Sequence, residues 1–225
     1  MLLIDLKFGP LFDLSRRKLQ RQVISWIQAG HVKYILGGFP SRSYSRARNM
    51  PGGPPALRNG DHVAGLPGLR PADEANVREG NLLLWFCVRL AEICLRTQTP
   101  CVLENPWTAW SWKMARMLQL MKSRHVQFSR ADFCQWGTPW QKAIGFLTVY
   151  CQPLGIIRLC GSRGTCSRTQ LPHVVLKGTD AHGVFLTHIA EPYPKPLCTA
   201  LVKMCRNACL ELQSHRLDSV FCKLC

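Results

Sequence analysis

Three short loops carry the side chains best suited to chemistry in this chain. Ser41 lies in GGFPSRSYSRAR at 37–48, Glu104 and Asn105 lie in LENP at 103–106, and Lys142 closes GTPWQK at 137–142. Arg42, Arg46 and Arg48 surround the serine, so a pocket made from 37–48 and 103–107 would join a hydroxyl, a carboxylate and guanidinium groups, as base chemistry on nucleic acid demands. A serine hydroxyl needs an adjacent base to become a useful nucleophile, and no histidine stands near Ser41 in the sequence. A second group is metal-capable. Cys160 and Cys166 flank the turn GSRGT, His173 ends the run CSRTQLPH, and Cys151 lies upstream. Thiolate and imidazole ligands in such a segment can hold a tetrahedral zinc. The spacing is wider than in common zinc motifs and no second tight pair exists, so free thiols and a surface histidine are the alternative reading. Cys222 and Cys225 do form a tight pair, but at the carboxyl end, where a frayed tail is expected.

The elements that must position these loops follow from periodicity. Met1 to Leu6 is an apolar run interrupted only by Asp5, short enough for a buried strand with an acid near its carboxyl end. Leu19, Val23, Ile24 and Ile27 share one face of a helix over 16–29 that stops at Gly30. Val32–Leu36 reads as a strand. The Pro-, Gly- and Arg-rich stretch 49–72 reads as a weakly ordered loop. A helix over 73–97, a strand at 101–103, a short helix over 112–122, strands at 126–129 and 146–150 and a closing helix over 196–214 complete the pattern. Strand, helix, strand alternation implies an α/β fold with a mostly parallel sheet. In such sheets ligands bind beyond the carboxyl ends of strands, where Asp5, Ser41 and Glu104 all fall. Trp107, Trp110 and Trp112 after Glu104, and Trp136 and Trp140 around the last loop, either stack on a ring or anchor packing. His182 and His188 fall on a predicted turn and strand.

The chain has 225 residues, 47% of them hydrophobic, enough for one domain with a real core. A formal charge of +16 favours polyanionic partners, nucleic acid first among them, with Arg163 and Arg168 adding to the arginines around Ser41. The 12 cysteines are scattered through apolar segments, which suits reduced core residues. No signal-like segment opens the chain, and Arg89 and Glu92 interrupt its most apolar run. The expected setting is nuclear or cytoplasmic, not secreted and not membrane-bound.

In order and loop context, GGFPS, LENP and GTPWQK resemble the cytosine-5 DNA methyltransferase core, in which G-G-P-P-C-Q, E-N-V and G-x-P-Q-x-R-x-R follow in that order. The resemblance implies a Rossmann-like methyltransferase sheet acting on a flipped cytosine, DNA more than RNA as partner, and S-adenosylmethionine as cofactor. It places Ser41 at the nucleophile position, Pro40 at the family proline, Glu104 on the ring's protonatable nitrogen, Asn105 beside it and Lys142 at the first of two arginines. Phe39, Arg42 and Ile144 stand where the family has proline, glutamine and the second arginine. By the same resemblance, Asp5 would meet the cofactor's ribose and Asp13 its adenine. The family's first strand and glycine-rich loop then have no counterpart. CSRTQLPH and AEPYP at 190–194 are also similar to methyltransferase-like reading frames of mobile elements in protist genomes.

The expectation is therefore a partial methyltransferase-like α/β domain over 1–150, an irregular basic Cys/His region over 151–195, and a helix and tail over 196–225. With serine in place of cysteine, the expected role is a methyltransferase-like protein without competent chemistry that retains nucleic-acid affinity. Two alternatives stand beside it. One is a basic nucleic-acid-binding module, zinc-stabilised; the other is part of an active methyltransferase whose start lies upstream.

Overall fold

The computed structural model of the chain describes residues 2–49, 53–161, 164–179, 181–182 and 186–221; Arg163, Cys222 and Cys225 lie outside them. Helix α1 (Arg17–Gln28) buries Val23, Ile24 and Ile27 on one stripe. Strand β1 (Ile35–Gly38) leads into the serine loop. Helix α2 (Pro71–Thr97) starts at a proline and carries Asp73 and Glu74 in its first turn, where acids suit the helix dipole. The Arg70 guanidinium donates twice to Asp73 Oδ2, at 3.0 and 2.8 Å. Strand β2 (Cys101–Pro106), helix α3 (Ala115–Met121), β3 (Val126–Asp132), β4 (Ala143–Val149) and helix α4 (Lys195–Phe221) follow.

The sheet is mixed, in the order β1-β2-β4-β3. The pair β1–β2 is parallel, with Gly38 opposite Glu104, and β4 runs antiparallel to both β2 and β3. The expected mostly parallel sheet is thus corrected. The link from β3 to β4, residues 133–142, holds only a 3-10 turn (Phe133–Trp136). A parallel partner would have required a crossover of about a dozen residues or more, usually helical. The order has a functional consequence. β1, β2 and β3 point one way and β4 the other, so the loops after Gly38, Pro106 and Asp132 and the approach to Ala143 all meet at one end of the sheet.

Alternation along the strands divides the core between two faces. Cys101, Leu103, Leu147 and Val149 join α1, α2 and α3 in one apolar cluster. Val102, Ile144 and Phe146 face Leu197, Leu201, Met204 and Cys205 of α4 in the other. The two faces are therefore sandwiched between helices, and β4 is buried along nearly its whole length.

Two expectations about local structure fail for identifiable reasons. The described part of the 1–6 run is not a strand: Asp5 caps a 3-10 turn (Leu6–Phe8) by accepting from the Lys7 N–H at 2.9 Å, Gly9 takes φ +118°, and Pro10 opens a second turn. Leu2, Leu3 and Leu6 stay more than half exposed. No strand precedes Ile35 among the described residues. Residues 53–70 hold no helix or strand, in keeping with the expected loop, and are pinned by Leu57 and Arg58, both only 1% exposed. Arg58 donates to the carbonyls of Ser43, Val63 and Val77, to Ser43 Oγ and to Asn81 Oδ1, and its guanidinium lies 3.7 Å from the Tyr44 ring centre. Breaker-rich composition hid this, because one buried guanidinium orders a loop that has no periodicity to read. His188 lies in a 3-10 turn (Leu186–Ala190), not a strand, and its Nδ1 sits 2.9 Å from Glu191 Oε1. No described helix is long and apolar enough to cross a membrane.

Candidate functional site

The meeting of loops at one sheet end builds a largely buried carboxyl. Glu104 points to the α4 face and packs over Gly38, where an added Cβ would lie 2.5 Å from Glu104 Oε1. Glycine at 38 therefore makes room for the carboxyl. Burial raises the Glu104 pKa above the ordinary carboxylate range, with Tyr193 and the Lys142 ammonium pulling the other way. Lys142 is pushed below the ordinary lysine range by burial, opposed by Glu104 and Glu191, and its Nζ donates to the Ala190 carbonyl at 2.6 Å. The Tyr193 hydroxyl is buried beside Glu104 without a fully formed hydrogen bond, and burial and that carboxyl drive its pKa well up. A carboxyl and an ammonium poised this way can exchange a proton with a planar nitrogen base.

Asn105 faces the opposite side and fastens two loops together. Its amide donates to the Phe39 carbonyl at 2.7 Å, and the Ser111 hydroxyl reaches Asn105 Oδ1 at 3.4 Å. Pro40 is exposed and Ser41 half-buried at the tip that follows. The Ser41 carbonyl accepts from the N–H groups of Tyr44 and Ser45, at 2.9 and 2.8 Å. Tyr44, wholly buried, donates its hydroxyl to Asn81 Oδ1 at 2.7 Å, and burial pushes its pKa up to about 12. Arg42 and Arg46 are exposed, with Arg46 over the Trp110 ring at 4.8 Å. Arg48 is tied down instead: it donates to the Pro55 carbonyl at 2.8 Å and lies 3.9 Å from Asp73. Trp110 and Trp112 are packing anchors, 7% and 5% exposed, while Trp107 stacks on Phe128 at 4.8 Å.

A second centre lies beside the same loops. Cys134, Cys160, Cys166 and His173 bring their ligand atoms within 4.8 Å of one another, a group that can hold a metal ion. Zinc–sulfur bonds of about 2.3 Å set tetrahedral ligand atoms about 3.8 Å apart, so a small contraction would close the shell. Cys134 and Cys166 are buried, Cys160 and His173 half-buried. The sulfurs collect donors: the Ser167 N–H reaches Cys160 Sγ at 3.4 Å, and Gln135 Nε2 reaches Cys166 Sγ at 3.6 Å. Burial opposes ionisation of Cys166, but backbone N–H groups of Thr169 and Arg168, with His173, bring its pKa down to about 7. Cys134, in contrast, is pushed up to about 12, chiefly by burial. Two outer contacts fix the ligand-bearing segments: Asp132 Oδ2 accepts from the Cys160 N–H at 2.8 Å, and Arg168 Nε donates to the Cys134 carbonyl at 2.9 Å. Arg168 thus serves the cluster from within.

Residue type in a loop-rich segment, against the usual spacing, pointed to Cys160, Cys166 and His173 but missed Cys134, which sits in the turn after β3, far from the others in the chain. Only the β3–β4 fold-back brings it near. Cys151, weighed as a neighbour of the cluster, lies in the α4-side core against Cys205. Asp5 and Asp13 are each absorbed by local turns, Asp13 accepting from the Ser15 N–H at 2.8 Å. Both carboxylates are thus spent on their own turns, and nothing among the described residues supports S-adenosylmethionine. No family model matches the chain, and no curated protein or solved structure matches it either.

Proposed function

We propose that this protein is a methyltransferase-like nucleic-acid-binding protein, without competent transfer chemistry of its own, stabilised by one zinc ion at Cys134, Cys160, Cys166 and His173. The observation that carries the reading is the convergence, at one end of the sheet, of a buried Glu104–Lys142 pair, an arginine-bearing serine loop and the thiol–imidazole cluster. Ser41 has a hydroxyl in the nucleophile position and no base partner among the described residues, which suits recognition without covalent attack. The cluster provides what the segment 151–194 lacks. Leu159, Leu171, Val175 and Ile189 in it are more than half exposed, so burial gives it little, whereas structural zinc supplies roughly 10 kcal/mol or more in zinc-finger peptides. Net charge of +16 and the exposed Arg42 and Arg46 supply the electrostatic attraction for phosphates.

Fluorescence anisotropy with labelled duplex and single-stranded DNA, titrated across salt, tests the binding. Affinity falls steeply as salt rises, and replacing Arg42 or Arg46 by Gln each lowers the slope of log K against log salt by about 1. Binding that ignores salt, or no binding at low salt, sinks the proposal. Elemental analysis of the purified chain returns one zinc per molecule, lost on Cys160→Ser.

A further inference from the structure

We propose that zinc at the Cys134–Cys160–Cys166–His173 cluster governs access to the Glu104–Lys142 pair, residues 186–194 forming a strap that the metal holds shut. This rests on the zinc reading given above.

A continuous path of contacts joins the two centres. Phe133, fully buried, immediately precedes the ligand Cys134. Its ring meets Tyr193 edge-on at 5.3 Å and carries the Lys142 ammonium at 5.0 Å, and its N–H donates to the Lys142 carbonyl at 2.9 Å. Tyr193 and Lys142 are the groups that flank Glu104. One turn therefore presents a metal ligand on one side and the floor of the carboxyl site on the other.

The far end of the cluster clamps the same loop. His173 is followed by Val174, whose N–H donates to the Pro139 carbonyl at 2.9 Å, in the middle of the 137–142 segment that delivers Lys142. A filled centre thus fixes this loop at its start, through Cys134, and across its middle, through His173. The strap leans on that loop. Its buried members are Ala190 and Pro194, with Tyr193 half-buried, and its carbonyl at Ala190 takes the Lys142 ammonium. Ile189 is half exposed and His188 and Glu191 pair with each other at the surface, so the strap's apolar footing rests on Ala190, Tyr193 and Pro194. Helix α4 anchors only the far end, where the Leu197 N–H donates to the Pro194 carbonyl at 2.9 Å. With the centre empty, four cross-linked side chains become independent and the 160–174 segment keeps only scattered hydrogen bonds. Phe133 and Tyr193 then separate, and Glu104 and Lys142 open to solvent and to a ligand.

Lysine acetylation of the full chain, followed by mass spectrometry with zinc bound and after chelation, reads this directly. Chelation raises the labelling rate of Lys142 by about tenfold, the scale of a local opening, while Lys113 and Lys122 keep theirs. The variant Tyr193→Ala retains one zinc and labels Lys142 quickly even when loaded. An unchanged Lys142 rate after zinc has demonstrably left overturns the strap and leaves the metal site standing. A chain that takes up no zinc overturns both. If chelation also strips hydrogen-exchange protection from the α1–α2 side of the sheet, the metal holds the whole fold and the strap is equally refuted. Slow labelling of Lys142 in zinc-loaded Tyr193→Ala also counts against it.

Discussion

The most consequential single side chain is Glu104, because its raised pKa ties stability to pH. The folded state binds this proton more tightly than the unfolded chain, so the associated stability is present at low pH and is lost as pH rises through the folded value. Urea titrations from about pH 4.3 upward show this loss in the natural chain, and Glu104→Gln removes that part of the pH dependence. Gly38→Ala tests the space beneath the carboxyl. The new methyl meets Glu104 Oε1 at 2.5 Å and must displace it, costing about 2 kcal/mol as overpacking does. Arg58 gives a larger effect. Arg58→Met strands the carbonyls of Ser43, Val63 and Val77, and on the order of 3 kcal/mol of stability disappears, measured by the shift in denaturant midpoint. None of these roles has a periodic signature. Glu104 and Lys142 were legible as candidates through their loops, whereas Arg58 and Cys134 acquire partners only from tertiary contacts.

At the scale of elements, the helices were easiest to read. The stripe Val23, Ile24, Ile27 and the acids Asp73 and Glu74 place α1 and α2 within a few residues of their observed bounds. Strand positions were legible but their directions were not. Periodicity sees burial, and only the helix-free link from Asp132 to Ala143 carries the sense of β4. The amino-terminal apolar run misled because apolar content without alternation does not distinguish a strand from capped turns around Asp5 and Gly9. One helix end offers a clean test. Gln98 closes α2 in the left-handed region, at φ 52° and ψ 46°, a conformation that glycine adopts freely. Gln98→Gly stabilises the protein by about 0.5 kcal/mol, seen as a higher melting temperature.

Across the whole molecule, charge and the proposed metal act on different terms. Positive charge draws polyanions from a distance and weakens with salt, while the thiol–imidazole centre acts locally on the segment 151–194. Chelation therefore reduces protection of that segment in hydrogen exchange and leaves the α1–α2 side of the sheet protected. The strand order has one more consequence, for synthesis. β4 lies between β2 and β3 yet is made last, so on the ribosome β3 emerges with no neighbour to zip onto. The translating polypeptide must carry that unpaired ribbon until residues 143–149 arrive to intercalate, and Gln127, Ser129 and Arg130 along it keep its open edges polar in the interval.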